Sequence, residues 1–136
     1  MKFLVDANVL SEVTRPNPAA VVVAWLRQYE SDLVVTPIVL GEIEYGIGLM
    51  ASSRKRADLR RWFEEGLRRL RVLDLDAGTA SAWAALLVRL RKNGQAMPVK
   101  DSLIAASALQ HTLTIVTRNT GDFCNAGVPL VDPFAL

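Results

Sequence analysis

An apolar run that stops abruptly on an acid, Phe3-Leu4-Val5-Asp6, constrains this chain more than any other stretch. Phe, Leu and Val in succession read as a short buried strand. The run breaks at Asp6, and Asn8 is placed to cap a helix beginning at Val9. A carboxylate at the carboxyl end of a buried strand lies where open α/β sheets bind their ligands. Two readings fit Asp6 taken alone: it ends the strand and starts a helix, or it belongs to a site.

The rest of the chain alternates helices with strands. Pro18 opens a helix capped by Asn17 and running to about Tyr29, and Leu33-Val34-Val35 follows as a second strand. Thr36-Pro37 starts a helix reaching about Ser52, with Val39, Ile43, Ile47 and Met50 as its apolar stripe. Gly41, Gly46 and Gly48 interrupt that helix, each costing about 1 kcal/mol relative to Ala, so a close approach to its backbone is expected. An amphipathic helix is predicted over Arg54 to Arg71, then a strand at Val72–Leu75 and a helix from Ala77 to Lys92 closed by Asn93-Gly94. The helix from Val99 to Leu109 is rich in small residues that permit close packing on a sheet. Thr114–Thr117 is the fourth strand, followed by a polar loop, and Gly127–Val131 is an edge strand that tolerates proline. This order predicts one α/β domain over residues 1–136: a short parallel sheet of about five strands with helices on both faces.

The acids fall into a pattern. Asp6 and Asp122 follow strands and Asp101 opens the helix leading into the fourth strand, so all three share the carboxyl edge of the sheet. Glu42 lies on the glycine-rich helix, with Glu44 on a different face. Converging carboxylates repel one another unless a cation neutralises them, and oxygen ligands without His or Cys favour Mg²⁺ or Mn²⁺ over zinc. Such a site polarises a phosphate and activates water against a phosphodiester. The charge balance agrees. Net charge is +2, but removing these four acids leaves 16 basic residues against 10 acidic ones, an excess that suits a polyanionic substrate. Eight of the basic residues lie between Arg54 and Arg71: Arg54, Lys55, Arg56, Arg60, Arg61, Arg68, Arg69 and Arg71.

Four segments in register resemble the motifs of PIN domains, and most closely those of the VapC-type toxins of bacterial toxin–antitoxin pairs. They are Phe3 to Glu12, Gly41-Glu42-Ile43, Asp101 to Ala106, and Thr117-Arg118-Asn119-Thr120-Gly121-Asp122-Phe123. Asp132-Pro133-Phe134 is similar to the usual Asn-Pro-Phe ending; Ala7 and Asp132 are small departures that touch no proposed ligand. The resemblance implies a metal-dependent ribonuclease with Asp6 and Asp101 as principal metal ligands. It implies that Glu42 and Asp122 complete the acidic site while Thr117 and Asn119 support it by hydrogen bonding. It also implies a homodimer, and an antitoxin partner that inserts a peptide into the acidic pocket.

Simpler roles compete at each position. Asp101 suits a helix N-cap, Asp122 an Asx turn, and Glu42 a solvated helix face. His111 suits a cap at a helix end, and Trp25, Trp62 and Trp83 suit core or interface packing. Tyr45, Lys100 and Arg118 suit either RNA contact or ordinary surface packing. Two rival functions remain: a phosphoaspartate-type phosphatase using Asp6, Thr36, Lys100 and Asp122, and a non-catalytic RNA- or protein-binding module. The phosphatase reading lacks the usual second acid, because Asn8 stands two residues after Asp6. The lone Cys124 requires no oxidising compartment, and no signal peptide or membrane span is discernible, so the expected location is the cytoplasm.

Overall fold

A computed structural model describes residues 1–136, apart from the side chain of Arg68, so that member of the basic cluster lies outside the described residues. Its centre is a five-stranded parallel sheet of β1 (Phe3–Val5), β2 (Leu33–Val35), β3 (Arg71–Val72), β4 (Thr114–Val116) and β5 (Leu130–Val131). The order across the sheet is β3-β2-β1-β4-β5, with every neighbouring pair parallel. The chain winds outward from β1 through β2 to β3, then returns to the other side of β1 for β4 and β5. Right-handed crossovers in both directions distribute the helices over both faces. The reversal leaves a crevice at the carboxyl ends of β1 and β4, the position at which such sheets bind ligands.

Seven α-helices surround the sheet: α1 (Ala7–Glu12), α2 (Ala20–Gln28), α3 (Pro37–Gly48), α4 (Arg54–Arg61), α5 (Ala77–Lys92), α6 (Val99–His111) and α7 (Thr120–Phe123). The core follows the apolar pattern. Leu4, Val5, Val9, Val22, Val35, Val39, Leu86, Ile104, Ile115 and Phe123 are all buried. The small residues of α6 do what their size predicts: Ala105, Ala106, Ser107 and Ala108 are buried, letting the helix pack between α5 and β4. Trp83 of α5 donates its indole N–H to Ser102 Oγ at 2.9 Å, and Phe3 packs edge-to-face on both Trp25 and Tyr29, whose own rings are mutually tilted.

Several local expectations are corrected. Asp6, not Asn8, caps α1, which begins at Ala7. Asn17 and Pro18 do not start α2; its cap position is Ala19, which has no side-chain cap. The buried carboxylate of Glu12 supplies the missing acceptor, taking the Ala19 N–H at 2.8 Å. The α3 helix ends at Gly48 rather than near Ser52, and a Cβ placed on Gly41, Gly46 or Gly48 would meet nothing within 4 Å. Among the described residues, none fills the space that side chains at those positions would take. The helix predicted from Arg54 to Arg71 breaks after Arg61 into a π turn over Trp62–Gly66 and a 3₁₀ turn over Leu67–Arg69. This change of winding turns Leu67 into the core. β3 starts one residue earlier than expected and is only two residues long, at Arg71–Val72. Asp132 acts as the turn residue it resembles, its Oδ1 accepting the Phe134 N–H at 2.9 Å.

The Glu12 contact is testable. Replacing Glu12 by Ala strands the Ala19 N–H and is expected to cost about 1–2 kcal/mol, while Glu12→Gln retains an acceptor and most of the stability. Urea unfolding of the two variants measures the difference.

Candidate active site

β1 and β4 place Asp6 and Thr117 side by side, because Val5 pairs with Val116 and the Asp6 N–H donates to Val116 O at 2.9 Å. Both Asp6 carboxylate oxygens are engaged. Oδ1 accepts the Ala7 N–H at 2.8 Å; Oδ2 accepts the Thr117 hydroxyl at 2.8 Å and the Asn8 amide at 3.2 Å. The Thr117 hydroxyl in turn accepts the Asn119 N–H at 3.1 Å. Asn119 thus enters the network through its backbone, and its side chain makes no cap to α7.

Asn8 is the functional residue that sequence reasoning missed. Its amide reaches both Asp6 and Thr117, while its Oδ1 accepts the Arg118 N–H at 3.1 Å. One side chain therefore ties the end of β1 to the loop after β4. Its place two residues after a strand-ending acid was a signal, but it was absorbed into a helix-cap reading.

Asp101 lies in the first turn of α6, whose cap position is Pro98, so its role is not that of an N-cap. It is only 8% exposed, on a helix that runs toward β4 and so starts at the same sheet edge as Asp6. Asp122 is exposed in the first turn of α7, a short helix where a loop was expected. Glu42 is half-buried on α3. One of its oxygens binds the Lys100 ammonium, while Oε1 is buried with no hydrogen-bond partner. Glu44, the competing acid, is exposed and pairs with Arg60 at 3.5 Å.

The electrostatics show that the acids share one field. Burial pushes the Asp6 carboxyl above its usual range, opposed by the Thr117 and Ala7 hydrogen bonds and reinforced by the charge of Glu42. Burial likewise raises Asp101; Lys100 opposes the shift, and the charges of Asp6, Asp122 and Glu42 add to it. Lys100 is itself raised, chiefly by its hydrogen bond to Glu42. Among the described residues, no three His, Cys, Asp or Glu side chains are already gathered tightly enough to enclose an ion. The donor set nevertheless fits a hard divalent cation: all oxygen, mutually repelling, and including an unpartnered buried carboxylate oxygen on Glu42.

Beside Glu42, a cleft of about 380 Å³ runs between α1, α3 and α4, lined by Asn8, Ser11, Gly46, Leu59 and Trp62 among others. A larger, mainly apolar groove of about 530 Å³, between α1, α2 and the π turn, touches none of Asp6, Glu42, Asp101 and Asp122. Thr36, which the phosphatase reading requires, is fully buried and spent on capping α3 through the Val39 N–H. Arg118 stacks its guanidinium on Phe134, 4.4 Å from the ring centroid.

This arrangement coincides with a known family. The PIN domain profile matches residues 3–128. The chain belongs to the PIN domain family. It is 34% identical to Toxin FitB of Neisseria gonorrhoeae, over 97% of this chain and 98% of that protein. It is 30% identical to VapC ribonuclease Y4jK of Sinorhizobium fredii, over 97% of each. Among solved structures, FitAcB from Neisseria gonorrhoeae superposes with a TM-score of 0.92 at 34% identity, covering 98% of this chain and 99% of that one.

The raised carboxyls set a pH dependence in this PIN domain. An acid whose native pKa is raised binds its proton more tightly folded than unfolded, so stability is lost as pH rises through the native value. Asp6→Asn and Asp101→Asn are therefore expected to raise the thermal midpoint at neutral pH. The gain should vanish by about pH 3, where carboxyls are protonated in both states. Thermal unfolding across that range measures it. Asn8→Ala should act in the opposite direction, losing about 1–2 kcal/mol at neutral pH because it releases Asp6 and the Arg118 N–H together.

Proposed function

We propose that this PIN domain, over residues 1–136, is a Mg²⁺-dependent endoribonuclease acting in the cytoplasm as the toxin of a toxin–antitoxin pair, with Mn²⁺ able to replace Mg²⁺. The observation that carries this reading is the shared field of Asp6, Glu42, Asp101 and Asp122, drawn from four separate segments to the switch point of the sheet. The names of the relatives, a toxin and a VapC ribonuclease, support the same chemistry.

In this reading Asp6 and Asp101 hold the metal. A bound divalent ion supplies polarisation of a phosphate oxygen and a water of lowered pKa. Asp6 is kept in orientation by Thr117, Asn8 and the Ala7 N–H, so its ligand geometry is fixed before substrate arrives. Asp122, exposed at the rim, and Glu42, at the cleft, orient the attacking water and take its proton. The exposed basic residues of α4 flank that cleft and attract the RNA backbone.

The partners follow from the same reading: an antitoxin that places a peptide in the acidic pocket, and a second copy of the chain. Tyr45 and Leu49, each 69% exposed beside the open glycines of α3, offer an apolar surface for such contacts. No helix among the described residues is long and apolar enough to cross a membrane.

Purified protein should cut labelled RNA with Mg²⁺, stop with excess EDTA, and lose roughly two orders of magnitude or more in rate on Asp6→Asn. Full cutting by Glu42→Gln would remove Glu42 from the machinery. RNA binding that needs no metal, with no cutting across a broad substrate panel, would instead favour the non-catalytic module.

A further inference from the structure

Lys100 stands inside the acidic site rather than on an indifferent surface. It occupies the second position of α6, directly before Asp101, and its ammonium reaches across to α3 to bind Glu42. The two side chains are 47% and 33% exposed, so the pair sits at the mouth of the site, partly screened from water. The other Glu42 oxygen is buried and unpartnered, which leaves Lys100 as the only described cation on this carboxylate. Asp6, in contrast, is held by neutral donors alone, and no ion pair engages Asp101 among the described residues.

We infer that Lys100 is a built-in substitute for a second metal ion: the protein alone holds one divalent ion, on Asp6 and Asp101, while the Lys100 ammonium reserves Glu42. The charges require such a division. Four carboxylates carry four negative charges, one divalent ion offsets two of them, and Lys100 offsets a third from a side chain attached to α6. An ion seeking Glu42 meets a carboxylate whose charge is already offset by an ammonium that makes a charge-assisted hydrogen bond to its other oxygen. A substrate phosphate entering the site offers Lys100 an alternative anion, and so frees Glu42 only when RNA is present. This inference rests on the metal-dependent reading of the same site and deepens it.

Mn²⁺ binding without RNA tests it, by calorimetry and by the loss of the free-ion paramagnetic resonance signal at neutral pH. Wild-type protein should bind one ion, and Asp6→Asn should abolish that binding. Lys100→Gln should acquire a second ion or tighten the weaker one about three- to fivefold, the effect expected of one partly exposed ion pair. Lys100→Arg keeps the charge and should remain at one ion. Identical stoichiometry and affinity in wild type and Lys100→Gln overturns the role of Lys100 while leaving the metal site intact. Two equally tight ions in the wild type overturns it as well. Wild-type protein that holds no ion overturns the metal reading as a whole, and this inference with it. Unchanged circular dichroism of the Lys100 variants at the temperature of the binding assay confirms that binding, not folding, has changed.

Discussion

The structure depends on how it keeps a carboxylate buried at the junction of β1 and β4. Asp6 is 6% exposed, and desolvation pushes its pKa up despite hydrogen bonds to both oxygens. A buried acid with no counter-charge is a standing cost to the fold. The chain meets it with donors fixed by secondary structure. The Ala7 N–H comes from the first turn of α1, and the Thr117 hydroxyl from the end of the neighbouring parallel strand. Asn8 then closes the arrangement by binding Asp6 and the loop after β4 at once. Strand register, helix start and loop path therefore converge on one side chain.

The remaining acids are delivered by packing rather than by local sequence. Asp101 reaches the edge because α6 fits closely between α5 and β4, which its alanines and serines allow. Ser102 anchors that helix from below, accepting the Trp83 indole N–H and donating to Val99 O at 2.7 Å. Glu42 arrives on α3, whose start is fixed by the Thr36 cap and Pro37. Repulsion among the acids is thus imposed by a well-packed scaffold, a pattern typical of sites that sacrifice stability for chemistry. Lys100 offsets part of that repulsion from within the chain.

The glycines of α3 are a local signal that no contact among the described residues answers. Three glycines in one helix suggest that something approaches its backbone closely, and among the described residues nothing lies within 4 Å of a Cβ placed on any of them. Their freedom from Cβ atoms instead leaves a low ridge beside exposed Tyr45 and Leu49. The predicted helix from Arg54 to Arg71 fails for a different reason. Its apolar spacing is helical throughout, yet the winding changes to a π turn over Trp62–Gly66, and Leu67 just beyond it is buried.

The sequence by itself determined the type and order of the main elements, because apolar periodicity, Thr36-Pro37 and Asn93-Gly94 are local signals. It also placed Asp6 and Asp101 on one sheet edge, since a helix that leads into a parallel strand starts at the edge where the strands end. Only the tertiary structure decided which groups face each other. Asp6 and Thr117 are 111 residues apart, Lys100 and Glu42 are 58 apart, and Glu12 serves a helix end that its own sequence leaves uncapped. Such pairings follow from side-chain direction and from burial against distant elements. Neither is encoded in the spacing of neighbouring residues, which is why Asn8 reads as a cap, and Lys100 as RNA contact or surface packing alike, until the strands and helices are packed together.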